Sequence, residues 1–587
     1  MLEPIYYDIG RICKEVYYKA ECNKKNQNMT PKIIDENILN DIEPPLLKIP
    51  FDCPEDIANY LMEINKEETY GTVKVKGGGE IKYYIVNFGK YIDNINNNDN
   101  NDTINLNDLE PNLIIIADGR RLIKRKELVE LVPKLREKIS PNTAIYFPTA
   151  LPWEMPLLAY LGVDYFDYSS ASYYASLGYK FTKNRIMISN KSFEELLQHN
   201  MSILDEVVEE IKYCIKEGCL RNLVEETTLS DPYLRANYRR YNPDLRNIPL
   251  SKGKKIIVSI DETTIPEVKK YIERVKNYEA FTNTIILLPC SSKKPYSYSK
   301  SHQFFINAIN SVNFPVEEVI ITSPYGIVPR ALEGVINYDI PVTGKWSSEE
   351  IEFINKHLKE YLDNAKDKFG ELNIIAHLPE HYLEILDENE YKKYGNYIIT
   401  SDDGNPTSTK SLENLKNILK ELKLKESLNE DNGDNDSEKK GNMVRPKTKK
   451  MQFIHNYKQL AKFQFNKDFI PDDVIIKGRH RKFFIKQNNK LVQICSLNEE
   501  NGLLVLTYDG GNLLGKVNWV EVDFKVKKGS LFAPGFKDCD ENISVNDEIV
   551  IVYGGKVIGV GRALMSGAEM KKAKHGSLAN IRHVKYD

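Results

Sequence analysis

The chain has 587 residues, more than one hydrophobic core organises, and about three to five domains are expected. Its 41% hydrophobic content suits ordinary globular cores, and 81 lysines and arginines face 84 aspartates and glutamates, so any nucleic-acid surface must arise from local clustering of charge. No basic leader followed by an apolar segment opens the chain and no run of about 18 apolar residues occurs, which predicts a cytoplasmic protein without a membrane span.

Residues up to about 245 alternate strand-like and helix-like runs. Residues 113–117 (Leu-Ile-Ile-Ile-Ala) and 143–147 (Thr-Ala-Ile-Tyr-Phe) read as short buried strands, with the helix-patterned residues 126–132 between them. Such alternation argues for parallel βα units and leaves open whether they form a barrel or an open sheet. The Asn- and Asp-rich stretch 92–102 holds too little apolar surface to offset its ordering entropy and is expected as a loop insertion.

A second α/β domain is expected over 250–425, with candidate strands at 255–260, 284–288, 318–322 and 372–377. The polar stretch 426–450 is expected as a flexible linker. Beyond it, 451–511 reads as a small α/β domain whose run Lys477-Gly478-Arg479-His480-Arg481-Lys482 makes a basic patch. Over 512–587, period-two strands separated by Gly, Asp and Pro turns indicate a small β-barrel. Lys571, Lys572, Lys574, His575, Arg582 and Lys585 cluster toward its end. They are candidate phosphate contacts that would supply affinity and register, the bland alternative being a solvated basic surface.

The eight cysteines, at positions 13, 22, 53, 214, 219, 290, 495 and 539, lie far apart, unlike a disulfide framework, and read as cytosolic thiols. One has unusual surroundings. Cys290 follows the apolar run 284–288 and Pro289, so it lies at the carboxyl end of a candidate buried strand, the edge of an open α/β sheet at which ligands bind. Lys293 and Lys294 follow, and then a helix suggested by residues 301–309, with Ser299 or Ser301 as its N-cap. Neighbouring ammonium groups and a helix N-terminus favour the thiolate form of a cysteine, although a cysteine after a strand also serves simply as a small buried apolar group. Arg330 and Lys345 are candidate anion contacts at the same edge, or else surface ion pairs.

The spacing of Pro289, Cys290, Lys294, Pro295, Tyr296, Ser299 and His302, seven positions in fourteen, resembles the signature of the archaeosine synthases, archaeal tRNA-modifying enzymes related to the tRNA-guanine transglycosylases. The likeness continues through residues 322–330 and 338–346, and the segment 512–587 resembles a PUA domain, an RNA-binding module. The resemblance implies a transglycosylase-like (β/α) barrel over 1–245, followed by the catalytic α/β domain, the small α/β domain and the PUA β-barrel. Residues 162–167 resemble the strand that carries the transglycosylase nucleophile, with Asp167 at that position, and His199-Asn200 resembles the start of the helix after the family's zinc site. The three zinc-binding cysteines are missing from 168–198, as is the Asp-Ser-Gly-Gly stretch that bears the second catalytic aspartate. The first domain therefore reads as a degenerate transglycosylase, with no metal and no cofactor expected. Asp167 remains as a substrate contact, a remnant or a structural acceptor.

The implied substrate is tRNA with 7-cyano-7-deazaguanine at position 15 of the D-arm, and the implied reaction adds an amine to the nitrile. A nitrile carbon is electrophilic, so Cys290 is assigned as a nucleophile that forms a thioimidate. His302 is assigned as the proton shuttle, Lys294 as the group stabilising the thiolate or orienting the base, and Tyr296 and Ser299 as positioning groups. The amine donor is left as glutamine, ammonia or lysine, and lysine would call for a radical SAM partner enzyme to finish the reaction. A homodimer is admitted. The competing readings are base exchange by a transglycosylase through Asp167, and a non-catalytic tRNA-binding subunit.

Overall fold

The computed structural model describes residues 2–6, 12–16, 28–29, 32–33, 70–75, 79–86, 88, 111–251, 256–257, 265–339, 345–432 and 448–586. The expected insertion at 92–102 and residues 433–447 of the expected linker lie outside them. The chain forms two units, one of residues 1–249 with 518–587 and one of residues 250–517. Among the described residues no helix is long and apolar enough to cross a membrane.

In the first unit the strands Gly79–Val86, Leu113–Ile116, Ala144–Tyr146 and Tyr165–Phe166 lie side by side and parallel in chain order. Lys32–Ile33 adds a parallel strand beyond Tyr165–Phe166, and Tyr70–Val75 closes the other edge antiparallel. Ile114, Ile116 and Ile145 are buried against Leu128, Val132 and Leu135 of the helix Leu128–Lys138, as the apolar spacing of that helix requires. The described strands of this domain form a six-stranded mixed sheet with helices packed on it.

The helix Phe193–Glu217 starts at a capping box, in which Ser192 accepts from the Glu195 amide and Glu195 reaches back to the Ser192 amide. His199 and Asn200, on its first turns, hold the hairpin formed by Tyr179–Phe181 and Ile186–Ile188. His199 Nε2 donates to the Phe181 carbonyl at 2.9 Å. The fully buried Asn200 accepts from the Phe181 amide at 2.7 Å and donates to the Tyr179 carbonyl at 3.0 Å. The pair quoted as kin to a zinc-site helix thus works here on peptide groups.

The carboxyl-terminal part of this unit is a six-stranded sheet in the order Gly529–Phe532, Ser577–Val584, Lys556–Ala563, Glu548–Tyr553, Trp519–Val522, Phe536–Cys539. Bulges bend four of its ladders, wrapping it around Val520, Leu531, Ile549, Ile551 and Ile581.

The second unit is organised by Thr284–Pro289, whose six residues are all buried. It pairs parallel with Glu317–Thr322 on one side and with Leu372–Ala376 on the other. Gly326–Pro329 extends one edge antiparallel, and Gly395–Ile399 extends the other parallel. Neither edge strand was expected: Gly395–Ile399 opens on glycine and an exposed asparagine, and its apolar part is too short to announce it. Of the expected strand at 255–260 only Ile256–Ile257 is described, and it pairs with Tyr338–Asp339 outside this sheet. The helix Thr409–Asn432 runs through the first residues of the expected linker. The small domain consists of the helix Lys449–Phe465 and a four-stranded antiparallel sheet spanning residues 475–506.

Replacing Asn200 with alanine would leave a buried amide and two carbonyls without their partners. Asn200→Ala is expected to lower the stability of the first unit by about 2 kcal/mol, read from denaturant unfolding, whereas an exposed neighbour such as Gln198→Ala should be near neutral.

Candidate active site

The order of the five-stranded sheet has a geometric consequence. The chain leaves Thr284–Pro289, builds the strands on one side, then crosses over by the helix Ser348–Phe369 to build the other side. Connections therefore diverge from the carboxyl end of the central strand, leaving the kind of crevice in which ligands bind in open α/β sheets. Cys290 is the first residue beyond that end.

Cys290 is partly buried, and its Sγ lies 3.1 Å from the hydroxyl of Tyr382. Tyr382 belongs to the short helix Glu380–Leu383, which follows the neighbouring strand Leu372–Ala376. No motif pointed to it, because the two residues are 92 positions apart. Trp346 packs edge-on against the Tyr382 ring at 5.0 Å, and its indole N–H donates to the His381 carbonyl at 3.1 Å. Lys345, the residue before Trp346, is exposed, while residues 340–344 of the motif at 338–346 lie outside the described residues.

His302 is fully buried in the first turn of the helix Lys300–Val312, whose N-cap is Ser299, accepting from the His302 amide at 3.3 Å. Both ring nitrogens are occupied. Arg330 Nη2 lies 2.9 Å from Nδ1, and since a guanidinium only donates, Nδ1 accepts and the ring proton sits on Nε2. Nε2 then donates to the carbonyl of Pro289 at 2.9 Å, gripping the peptide that precedes Cys290. Burial, and then the adjacent guanidinium, depress the imidazole to about 3, so it is neutral at physiological pH. Arg330 bonds Glu318 at 2.6 Å and Glu333 at 3.0 Å. Burial works against its charge, yet the two carboxylates hold it above its ordinary range. Its donors serve this internal cluster, in place of either the anion contact or the surface ion pair expected of it.

Tyr296 is buried, stacks on His302 with ring centres 5.4 Å apart, and shares a 2.8 Å hydroxyl contact with Tyr338, which also bonds Thr322. The Lys294 ammonium sits 3.7 Å from the centre of the Tyr338 ring, a cation–π contact. Burial, reinforced by the proximity of Cys290, pushes the phenols of Tyr296, Tyr338 and Tyr382 well above their ordinary range, so all three keep their protons at neutral pH. The signature residues thus meet around one thiol.

Asp167 is in the other unit, at the carboxyl end of Tyr165–Phe166. It is buried and accepts from the Tyr146 hydroxyl at 2.5 Å, the Ser169 amide at 2.8 Å and the Thr149 amide at 3.3 Å. Burial raises its carboxyl above the usual range. Thr149 holds φ at +62°, an unfavourable conformation for a β-branched residue, and its carbonyl accepts from Arg120, which also pairs with Glu154 at 2.5 Å.

Near the carboxyl terminus the charged groups of Lys571, Lys572 and Arg582 are engaged within the unit. Lys571 pairs with Glu541 at 2.8 Å and with Asp538 at 3.3 Å, and Arg582 pairs with the buried Glu548. Lys572 donates to the Glu137 carbonyl, and the amides of Lys574 and His575 donate to Asn142 at 2.9 and 3.2 Å. Lys585 is exposed, and its amide donates to the Ile558 carbonyl at 2.8 Å. A different face of the same sheet combines exposed cations with exposed rings. Phe524, Lys527, Lys528, Phe532 and Pro534 line a groove of about 370 Å³. The sequence carries this signal as Asp523-Phe524-Lys525-Val526-Lys527-Lys528, a less dense run of charge than the terminal cluster.

A neutral buried histidine makes stability depend on pH. The unfolded imidazole, near 6.5, takes up a proton before the folded one near 3, so this contribution is complete above pH 6.5 and is withdrawn as pH falls toward 3. His302→Gln, which keeps an acceptor for Arg330 and a donor for Pro289, is expected to remove about 1.4 kcal/mol per pH unit from the acid-side slope, measured by calorimetry of both proteins between those limits.

Residues 268–419, which hold the Cys290 crevice, match a family described as a domain of unknown function (DUF5591), and residues 516–585 match the PUA domain. The archaeosine synthase of Methanocaldococcus jannaschii is 52% identical across the whole of both chains. The archaeosine synthase subunit alpha of Methanosarcina acetivorans is 32% identical, over 78% of this chain and 77% of its own. More distantly, the tRNA-guanine(15) transglycosylase of Methanosphaera stadtmanae is 23% identical over 68% of this chain and 56% of its own. With one relative of that name matched from end to end, and the signature residues assembled around a single thiol, the chain belongs to the archaeosine synthase family.

Proposed function

We propose that the chain adds an amine to the nitrile of 7-cyano-7-deazaguanine at position 15 in the D-arm of tRNA, with Cys290 as the nucleophile. The observation that carries this reading is the placement of Cys290 at the carboxyl end of the central strand, with a hydroxyl donor 3.1 Å from its sulfur. Sulfur attacks the nitrile carbon, the thiol proton passes to nitrogen, and a thioimidate forms. The amine then adds to the same carbon and the thiol leaves, which yields an amidine.

The neighbouring residues take separate roles in this proposal. His302 is a positioning residue rather than the expected proton shuttle, because both of its nitrogens are committed to Pro289 and Arg330. Arg330 acts through it. Ser299 caps the helix that carries His302, and Tyr296 and Lys294 fix the wall of the crevice through Tyr338. Lys345, exposed before Trp346, contacts the RNA backbone. The amine is glutamine, ammonia or lysine. The relative designated subunit alpha supports a reaction shared with a partner protein, which for lysine would be a radical SAM enzyme.

The first domain, residues 1–245, is proposed as a degenerate transglycosylase-like barrel. Its parallel strands are laid down consecutively, as in one arc of such a barrel. Asp167 serves there as a structural acceptor holding Thr149, a role its three donors support better than nucleophilic attack. The PUA domain binds tRNA through the groove at Phe524, Lys527, Lys528 and Phe532, where rings can stack on bases and ammonium groups can meet phosphates.

Incubation with tRNA containing 7-cyano-7-deazaguanine and each amine, followed by nucleoside mass analysis, should give a mass gain with one donor. Cys290→Ala should abolish the gain at unchanged tRNA affinity, and an unmodified nitrile with every donor would sink the proposal. Changing both Lys527 and Lys528 to alanine should weaken tRNA binding and reduce the slope of log affinity against log salt by about 2, if each lysine neutralises one phosphate. Lys571→Ala, by contrast, should leave that slope nearly unchanged, since its charge is spent on Asp538 and Glu541.

A further inference from the structure

A thiol that adds to a nitrile must surrender a proton and the nitrile nitrogen must gain one, so the site needs a group that can do both. The expected carrier, His302, has neither nitrogen to spare. The hydroxyls of Tyr296, Tyr338 and Thr322 bond one another in a chain, and the Lys294 ammonium rests on the Tyr338 ring. Tyr382 is different, because its hydroxyl lies against the sulfur itself at 3.1 Å.

We infer that the Tyr382 hydroxyl is the proton carrier of the reaction. This rests on the reading of Cys290 as nucleophile. As sulfur bonds to the nitrile carbon, the thiol proton moves to the phenolic oxygen while the phenolic proton moves to the nitrile nitrogen, leaving the phenol neutral and a neutral thioimidate. When the amine adds, one amine proton returns by the same oxygen to the departing sulfur. No oxidant, reductant or metal enters the balance.

Three features suit Tyr382 to this task. Sulfur and nitrile nitrogen are separated by a single carbon in the adduct, so a hydroxyl within reach of one is within reach of the other by a small rotation of its O–H bond. The ring is held by Trp346 at 5.0 Å and by His381 at 4.9 Å, so the oxygen stays in place as the bond forms. Burial keeps the phenol protonated, so it passes protons on without resting as phenolate.

The test is a single-turnover reaction of the full chain with tRNA carrying 7-cyano-7-deazaguanine and no amine, followed by intact-protein mass. Tyr382→Phe should slow adduct formation about 100-fold at unchanged tRNA affinity, the range expected for loss of a positioned acid–base group. Adduct formation at the wild-type rate in Tyr382→Phe would overturn this inference and leave the role of Cys290 standing. A wild-type protein that forms no adduct, together with Cys290→Ala that still turns over, would overturn both. Because Tyr382→Phe removes a buried polar contact, a second protein with 3-fluorotyrosine at position 382 keeps the hydroxyl and the fold. Its more acidic phenol should shift the pH profile of adduct formation to lower pH, a change that a purely structural tyrosine would not produce, and an unshifted profile would also overturn the inference.

Discussion

One guanidinium determines how the reactive end of the central strand is held. Arg330 can only donate, so the imidazole beside it must accept on Nδ1 and present its proton on Nε2. That proton goes to the carbonyl of Pro289, and the peptide before Cys290 is fixed as a result. Two carboxylates, Glu318 and Glu333, keep the guanidinium charged and oriented in a site from which water is largely excluded. The arrangement draws on a strand, a 3-10 turn and a helix that come from separate parts of the chain, and each is anchored by the sheet. A buried ion cluster of this kind contributes orientation more than stability, because the cost of desolvating its charges offsets most of their attraction.

Much of the site was legible in the sequence because its members lie close together along the chain. A strand, a short loop and a capped helix bring Cys290, Lys294, Tyr296, Ser299 and His302 into one crevice, and the apolar run and the N-cap serine announce both elements. Tyr382 was not legible, since it reaches Cys290 only through the lateral pairing of two strands, and nothing in a four-residue helix marks it. The edge strands Gly326–Pro329 and Gly395–Ile399 escaped for a related reason: one is a hairpin return and the other a short, partly exposed run opened by glycine and asparagine, and each takes its conformation from its neighbour. For His302 the sequence carries residue type but not hydrogen-bond occupancy. A histidine near a thiol suggests proton transfer until both of its nitrogens are seen to be engaged.

The two units divide their polar resources differently. Around Cys290 several hydroxyls and an ammonium group border a partly open sulfur. Around Asp167 the Tyr146 hydroxyl and the Thr149 and Ser169 amides close on the carboxylate, and Thr149 is held in an unfavourable backbone conformation beside it. A carboxylate so saturated is a poor nucleophile and a good brace. The same contrast separates the two basic regions of the PUA domain. Lys571 and Arg582 are neutralised by their own acidic neighbours, whereas Lys527 and Lys528 stand beside exposed rings.

The composition of the first unit has a bearing on how the protein is made. Residues 518–587 belong with residues 1–249, and residues 250–517 form a unit between them, so the unit that holds Cys290 is in topological terms an insertion. On a ribosome the inserted unit has all of its residues before the host unit does. The helix end and turn at 137–142, which receive Lys572, Lys574 and His575, must therefore wait for the last stretch of translation before their partners exist. The unit that holds Cys290 is thus complete in sequence ahead of the PUA domain, and the final seventy residues complete a body begun at the amino terminus.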